Sequence, residues 1–318
     1  MPAEPRAEDV LQEQADAGDA QASYELGRRR LVGDRAAFRP EEGARRIAQA
    51  GDLGHPEAMA LAATLAAAGV GRPQSWPEAF TLLQAAADRG HAGAARQLDL
   101  LTRVPGLDAW LSPPPRTPIC EAPRVRTISG FLSPEVCRWV MDLAAPRLRP
   151  ASRIDPASGR EAPHPGRTND LCVIDVLSAD VIFVLVRARI SAALDIPAAC
   201  FEPTQILRYR VGQAFAPHFD FLDPGDLTTY DTGQVYDGQR IVTFLIYLND
   251  GFEGGETAFP RAELKVRGAV GEAVYFANVD LDQKPDKASL HAGLPPTRGE
   301  KWVLSQWIHD RPFTGVGG

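Results

Sequence analysis

Lysine is nearly missing from this 318-residue chain: there are four, against 30 arginines, and histidine numbers only six. No Lys/Arg-rich block or basic amphipathic stretch relieves a formal net charge of -7, so neither nucleic acid nor an acidic membrane is expected as a partner. No run approaches the about 18 consecutive apolar residues of a membrane-spanning helix. Met1 to Val10 carries Pro, Glu and Asp where a secretory signal needs basic residues and then an apolar run, so a cytoplasmic location is expected. The four cysteines, Cys120, Cys137, Cys172 and Cys200, lack metal-type spacing and read as small buried or surface residues rather than a disulfide framework. What is present, 44% apolar and 24% charged residues, is an ordinary globular composition with length enough for two domains. The arginine excess carries little functional content, but it makes Lys301 a notable choice.

Residues 1–12 read as a flexible N-terminus, after which a repeat begins. Ala17-Gly18-Asp19-Ala20-Gln21-Ala22 recurs as Leu53-Gly54-His55-Pro56-Glu57-Ala58 and as Arg89-Gly90-His91-Ala92-Gly93-Ala94, each time 36 residues on. Ala22, Ala58 and Ala94 stand in register, with Leu26, Ala62 and Leu98 four further along, so each unit reads as a pair of closely approaching helices. Leu65 to Gly71 and then Trp76 to Ala87 fit the second half of one unit. Over residues 13–103 the pattern resembles Sel-like repeats, relatives of the tetratricopeptide repeat. That resemblance implies an α-solenoid whose concave surface meets a peptide or protein; a helical support that merely stabilises the rest of the chain is the other reading. Residues 104–123 hold Pro105, Pro113, Pro114, Pro115, Pro118 and Pro123, too many for a helix interior or central strand, and read as a linker.

Beyond it, residues 124–313 change character. Ser133-Pro134-Glu135 places a capping hydroxyl before a first-turn proline, and Val136, Val140, Leu143 and Ala144 continue a helix. A second helix is expected over Val176 to Leu194, with Val181, Val184, Leu185 and Ile190 inward. The segments Thr204 to Val211, Arg240 to Asn249, Glu272 to Ala277 and Lys301 to His309 read as strands. Helices followed by strands predict an α+β chain: an N-terminal α-solenoid, then a jelly-roll barrel, a double-stranded β-helix with supporting helices. In the last strand Lys301, Val303, Ser305 and Trp307 share one face, and an inward-facing lysine needs an anion. Thr243 and Tyr247 face inward by the same alternation.

His218-Phe219-Asp220 supplies an imidazole and a carboxylate at positions i and i+2, which share one side of a strand and can grip one ion. With His291 from a distant strand, two histidines and one carboxylate leave three positions open. That suits non-haem Fe(II), which must take both a bidentate cosubstrate and O2. The run Tyr209-Arg210-Val211-Gly212-Gln213-Ala214-Phe215-Ala216-Pro217-His218-Phe219-Asp220 is followed by Arg240-Ile241-Val242-Thr243, Tyr247-Leu248-Asn249-Asp250, Gly254-Gly255-Glu256-Thr257 and His291-Ala292-Gly293, with Lys301 and Trp307 last. From about Ile128 to Phe313 the chain resembles the prolyl 4-hydroxylase type of Fe(II)/2-oxoglutarate dioxygenase.

The resemblance implies iron at His218, Asp220 and His291, and the distal carboxylate of 2-oxoglutarate at Lys301, helped by Thr257 and Tyr247. It implies O2 as oxidant, ascorbate as reductant, and a substrate side at Tyr209, Arg240 and Trp307, for which barrel packing is the alternative. The implied reaction hydroxylates a prolyl residue or related amino acid and releases succinate and CO2. Asp220 argues against related halogenases, which replace this carboxylate to admit chloride. Phe215 stands where many peptide-hydroxylating relatives have tyrosine, which sets a free amino acid or small metabolite beside peptidyl proline as substrate. A third reading is an interaction protein whose repeats bind a partner while the barrel senses iron, oxygen or 2-oxoglutarate. Phe221 to Gln239 reads as a lid or a disordered spacer, and Arg167-Thr168-Asn169 borders the substrate channel. His55 and His91 read as structural, His164 lies in a Pro-rich loop, and His309 reads as packing or surface.

Overall fold

In the computed structural model the described residues are 7–154, 160–164, 166–222 and 238–313. They divide into two compact units, one running to Trp110 and taking in Asp175–Ala188, the other comprising Leu111–Ile174 and the chain from Arg189. Among the described residues no helix is long and apolar enough to cross a membrane.

The first unit is helical. Six helices, α1 Ala7–Asp16, α2 Ala20–Val32, α3 Pro40–Asp52, α4 Pro56–Ala68, α5 Trp76–Asp88 and α6 Ala92–Leu101, pack each against the next. The 36-residue offset reappears as capping: Asp19, His55 and His91 accept from the backbone N–H of Ala22 (2.9 Å), Ala58 (3.4 Å) and Ala94 (2.9 Å). Each cap follows a left-handed glycine, Gly18, Gly54 and Gly90, with φ of +92°, +91° and +87°, a backbone an L side chain strains to adopt. The pairing of α2 with α3 depends on small size at the crossing. A Cβ on Gly27 would lie 2.8 Å from Ile47 Cδ1, and one on Gly43 would lie 2.9 Å from the Gly27 carbonyl oxygen. Leu26, Ile47, Leu65 and Leu83 are buried along the stack, each burial stabilising by roughly 1.5–3 kcal/mol.

The helix expected from Val176 begins instead at Val181 and runs to Leu194. Asp175 accepts from the N–H groups of Leu177 (3.1 Å) and Ser178 (2.8 Å), folding those residues into a turn, and Asp180 caps the new start through Phe183 N–H at 2.8 Å. Val181, Val184, Leu185 and Ile190 are buried as their spacing demands. Val181 joins the cluster of Met59, Leu83 and Ala94, and its N–H donates to Gln97 Oε1 at 3.0 Å.

The second unit is a sandwich of two antiparallel sheets. The larger runs Thr117–Glu121, Arg124–Ile128, Ala273–Ala277, Arg240–Tyr247, Lys301–His309, Thr204–Tyr209, Asp170–Ile174 and Arg149–Pro150 in spatial order. The smaller runs Leu264–Val266, Thr257–Phe259, His291–Gly293 and Phe215–His218. Leu245, Tyr247, Val274, Phe276 and Val303 of the larger sheet meet Phe259 of the smaller in one apolar cluster. Alternation places Lys301, Val303, Ser305 and Trp307 along one cavity between the sheets. The helix after Ser133 spans Pro134–Ala144.

Two stretches of the proline-rich segment carry structure. Leu107–Trp110 is a single helical turn, anchored where Trp110 Nε1 donates to Leu185 O at 2.7 Å. Thr117–Glu121 is the edge of the large sheet, where Pro118 sits with only one neighbouring strand to satisfy.

Candidate active site

Two histidines distant in sequence become neighbours because their strands pair: His291 stands directly across from His218 in the small sheet, with ring centroids 4.2 Å apart. The strand ends at His218, so Asp220 lies past it rather than on the same strand as its sequence spacing suggested. The carboxylate still turns inward, with Oδ1 3.5 Å from His218 Nε2 and Oδ2 3.3 Å from His291 Nε2. One donor atom from each of the three lies within 4.8 Å of the others.

Each imidazole is oriented from behind. His218 Nδ1 is 2.8 Å from Ala216 O and His291 Nδ1 is 3.0 Å from Ser289 O, so each Nδ1–H donates outward and each Nε2 turns its lone pair toward the carboxylate. Burial, and then the charge of His291, push the His218 pKa down against the opposing pull of Asp220, favouring the neutral ligand form. Burial works against ionising Asp220, but the adjacent imidazoles, His291 first and then His218, outweigh it and hold its carboxyl well below the usual range. Two imidazole nitrogens and a carboxylate oxygen facing one point fit a divalent non-haem iron. Aromatic rings fix the pair: Phe215 stacks on His218 at 3.6 Å and 15°, and Phe276 lies 4.6 Å from His291 between centroids. Thr243 Oγ1 donates to Asp220 Oδ2 at 2.7 Å and accepts from Asn278 Nδ2 at 2.9 Å.

Lys301 opens the last strand farther along the cavity, 2% exposed, its Nζ 5.2 Å and 5.3 Å from the ring centroids of Tyr209 and Tyr247. Burial brings its pKa down to about 7, only partly offset by Glu256. Thr257 lines the same cavity. Tyr247 does not line it; its hydroxyl meets Thr257 Oγ1 and donates to Val266 O, both at 2.9 Å, so it supports Thr257 from behind. Tyr209 was expected on the substrate side, yet it pairs across strands with Lys301 and belongs to the lysine end.

Trp307 and Arg167 line the cavity, and the Arg167 guanidinium lies over Phe215 at 4.8 Å. Arg240, expected to touch substrate, does not line it. Its guanidinium is held by buried Glu202 (Nε–Oε1 2.5 Å, Nη2–Oε2 3.0 Å) and sits 3.8 Å from the Trp307 ring centroid, a support for that ring. His309 is fully buried and also meets Glu202, Nε2 to Oε1 at 2.6 Å. The sequence reading missed Glu202, Phe276 and Asn278. Extending the Ala273–Ala277 alternation past its end would have turned Asn278 inward with Phe276; nothing in the sequence ties Glu202 to Arg240. The expected lid, Phe221 to Gln239, falls mostly outside the described residues.

The class that this sandwich and donor set define is the 2-oxoglutarate-dependent Fe(II) oxygenases, and the model of the 2OG-Fe(II) oxygenase superfamily matches residues 204–309. Prolyl 4-hydroxylase 1 of Arabidopsis thaliana is 32% identical over 204 residues, 60% of this chain and 70% of that protein. The chain belongs to the prolyl 4-hydroxylase family of these oxygenases, a family that implies Fe(II), 2-oxoglutarate and O2. Similar solved structures include a viral collagen prolyl hydroxylase from Paramecium Bursaria Chlorella virus-1 in its 2OG complex, at 27% identity and TM-score 0.46 over 60% of this chain and 98% of that one. A Sel1 repeat protein from Oxalobacter formigenes is similar at 27% identity and TM-score 0.28 over 29% of this chain and 26% of that one.

Proposed function

We propose that this chain hydroxylates a prolyl residue within a peptide or protein, with His218, Asp220 and His291 as the iron ligands. The carrying observation is the convergence of those donors in the cavity that Lys301 enters from the large sheet. Fe(II) held by His218, Asp220 and His291 would supply oxygen activation coupled to the conversion of 2-oxoglutarate to succinate and CO2, the chemistry needed to hydroxylate a C–H bond. Lys301 meets the distal carboxylate of 2-oxoglutarate as a point charge, with Thr257, backed by Tyr247, adding a hydroxyl and the Tyr209 ring excluding water beside it. Trp307, held flat by Arg240, forms a wall against which a proline ring packs. Phe215 offers the substrate an apolar face and keeps the His218 ring from rotating.

Fe(II)-loaded protein, given 2-oxoglutarate under nitrogen and then O2, with and without ascorbate, is expected to release succinate. The release should be stimulated by a proline-containing peptide that gains one oxygen by mass spectrometry. Succinate without any peptide product, restored by a free amino acid, would move the substrate to a small molecule. Recruitment of a protein substrate by the helical repeats is part of this reading: a protein substrate should show a lower KM than a short peptide carrying the same proline, and equal values would remove the repeats from recognition.

A further inference from the structure

We propose that Asn278 is a positioning residue for the metal centre, acting through Thr243 to hold Asp220 in its ligating orientation; this rests on reading Asp220 as a ligand. The three side chains form a buried line, 0%, 1% and 3% exposed, with Asn278 Nδ2 2.9 Å from Thr243 Oγ1 and Thr243 Oγ1 2.7 Å from Asp220 Oδ2. A hydroxyl has one proton to give, and an ionised carboxylate can only accept. The Asn278 amide nitrogen can only donate, so it occupies a lone pair of Oγ1 and commits the hydroxyl proton to Asp220. Turning the amide over would set two acceptor oxygens against one proton and leave one unmet.

The backbone leaves Asn278 little choice of place. Its N–H donates to Ile241 O and its carbonyl accepts from Asp286 N–H, both at 2.9 Å. Its Oδ1, by contrast, is buried with no hydrogen-bond partner among the described residues. A leucine, branched at the same carbon, would occupy the site without stranding a polar atom. The amide nitrogen is what an asparagine provides here that a leucine does not. Asp220 faces His218 with one oxygen and His291 with the other, so a carboxylate free to turn about its last bond would lose register with both.

The test is a metal titration of the full chain, stripped of metal and read by the visible absorption of bound Co(II). Asn278→Leu and Thr243→Val should each weaken Co(II) binding by roughly tenfold or more, the usual scale for groups behind a ligand. Thr243→Ser, which keeps the hydroxyl, should restore it. The double variant should bind no more weakly than Thr243→Val alone, because Asn278 works only through that hydroxyl. Unchanged affinity in Asn278→Leu, or losses that multiply in the double variant, overturn the proposal. If Asn278→Leu does not fold, Asn278→Ser, too short to reach Thr243, enters the same cycle. A wild-type chain that takes up no Co(II) would sink the ligand reading and this inference with it; a wild type that binds alongside indifferent variants sinks this inference alone.

Discussion

Replacing Lys301 by methionine keeps most of the buried stem and removes only the charge, so it isolates the contribution of that ammonium to 2-oxoglutarate binding. A hydrogen bond to a charged group is worth about 1.5–3 kcal/mol, which converts to a roughly 10- to 150-fold rise in the KM for 2-oxoglutarate. The iron requirement should stay within about threefold of wild type on the same reasoning, since Lys301 is no part of the three-donor set. Acidity adds a second signature. With its pKa brought down to about 7 by burial, Lys301 is protonated below that pH and neutral above it. A carboxylate entering at higher pH must therefore draw a proton in with it. The KM for 2-oxoglutarate should be flat below about pH 7 and climb above it by up to about tenfold per unit, and Lys301→Met should lose this dependence. Succinate formation against 2-oxoglutarate at saturating Fe(II), from pH 6 to 9, supplies both measurements. An unchanged KM, equal losses for iron and 2-oxoglutarate, or a wild-type profile flat across that range would refute the assignment.

Two further outcomes concern the frame around the site. Glu202→Gln deprives the buried Arg240 guanidinium of its carboxylate, at a cost of about 3–5 kcal/mol and a fall in Tm of about 6–20 °C for a unit of this size; differential scanning calorimetry showing no fall would mean that Arg240 is stabilised by other means. Gly27→Val forces carbon into the α2–α3 crossing, where Ile47 already stands 2.8 Å from the added Cβ. It should destabilise the helical unit by about 1–3 kcal/mol, read as a lower denaturation midpoint, and a neutral result would show that the two helices separate without penalty.

Much of this was legible from period and punctuation. Lys301, Val303, Ser305 and Trp307 alternate on a strand with a single inward side, so their shared cavity followed from spacing two apart. The capping positions Asp19, His55 and His91 were legible as a repeat, though not as caps, because histidine is an unusual choice there. What sequence could not reach was register. That His291 sits across from His218 is a property of strand pairing between distant segments, and that Arg240 turns toward Glu202 rather than into the cavity depends on a carboxylate 38 residues away. Asp175 and Asp180 illustrate a local failure: apolar spacing alone ran the helix back to Val176, while an aspartate-centred turn broke it. The prolines of the linker hid a strand because an edge, unlike a sheet interior, tolerates them.

His218 and His291 belong to hydrogen-bonded neighbours of the four-stranded sheet, and Asp220 comes from the bend just past its border. An ion held by all three would act as a rivet, tying that border to the loop leaving it. Chelation would then loosen that border as well as remove the metal that activates O2, so iron supply would govern the integrity of this barrel together with its turnover.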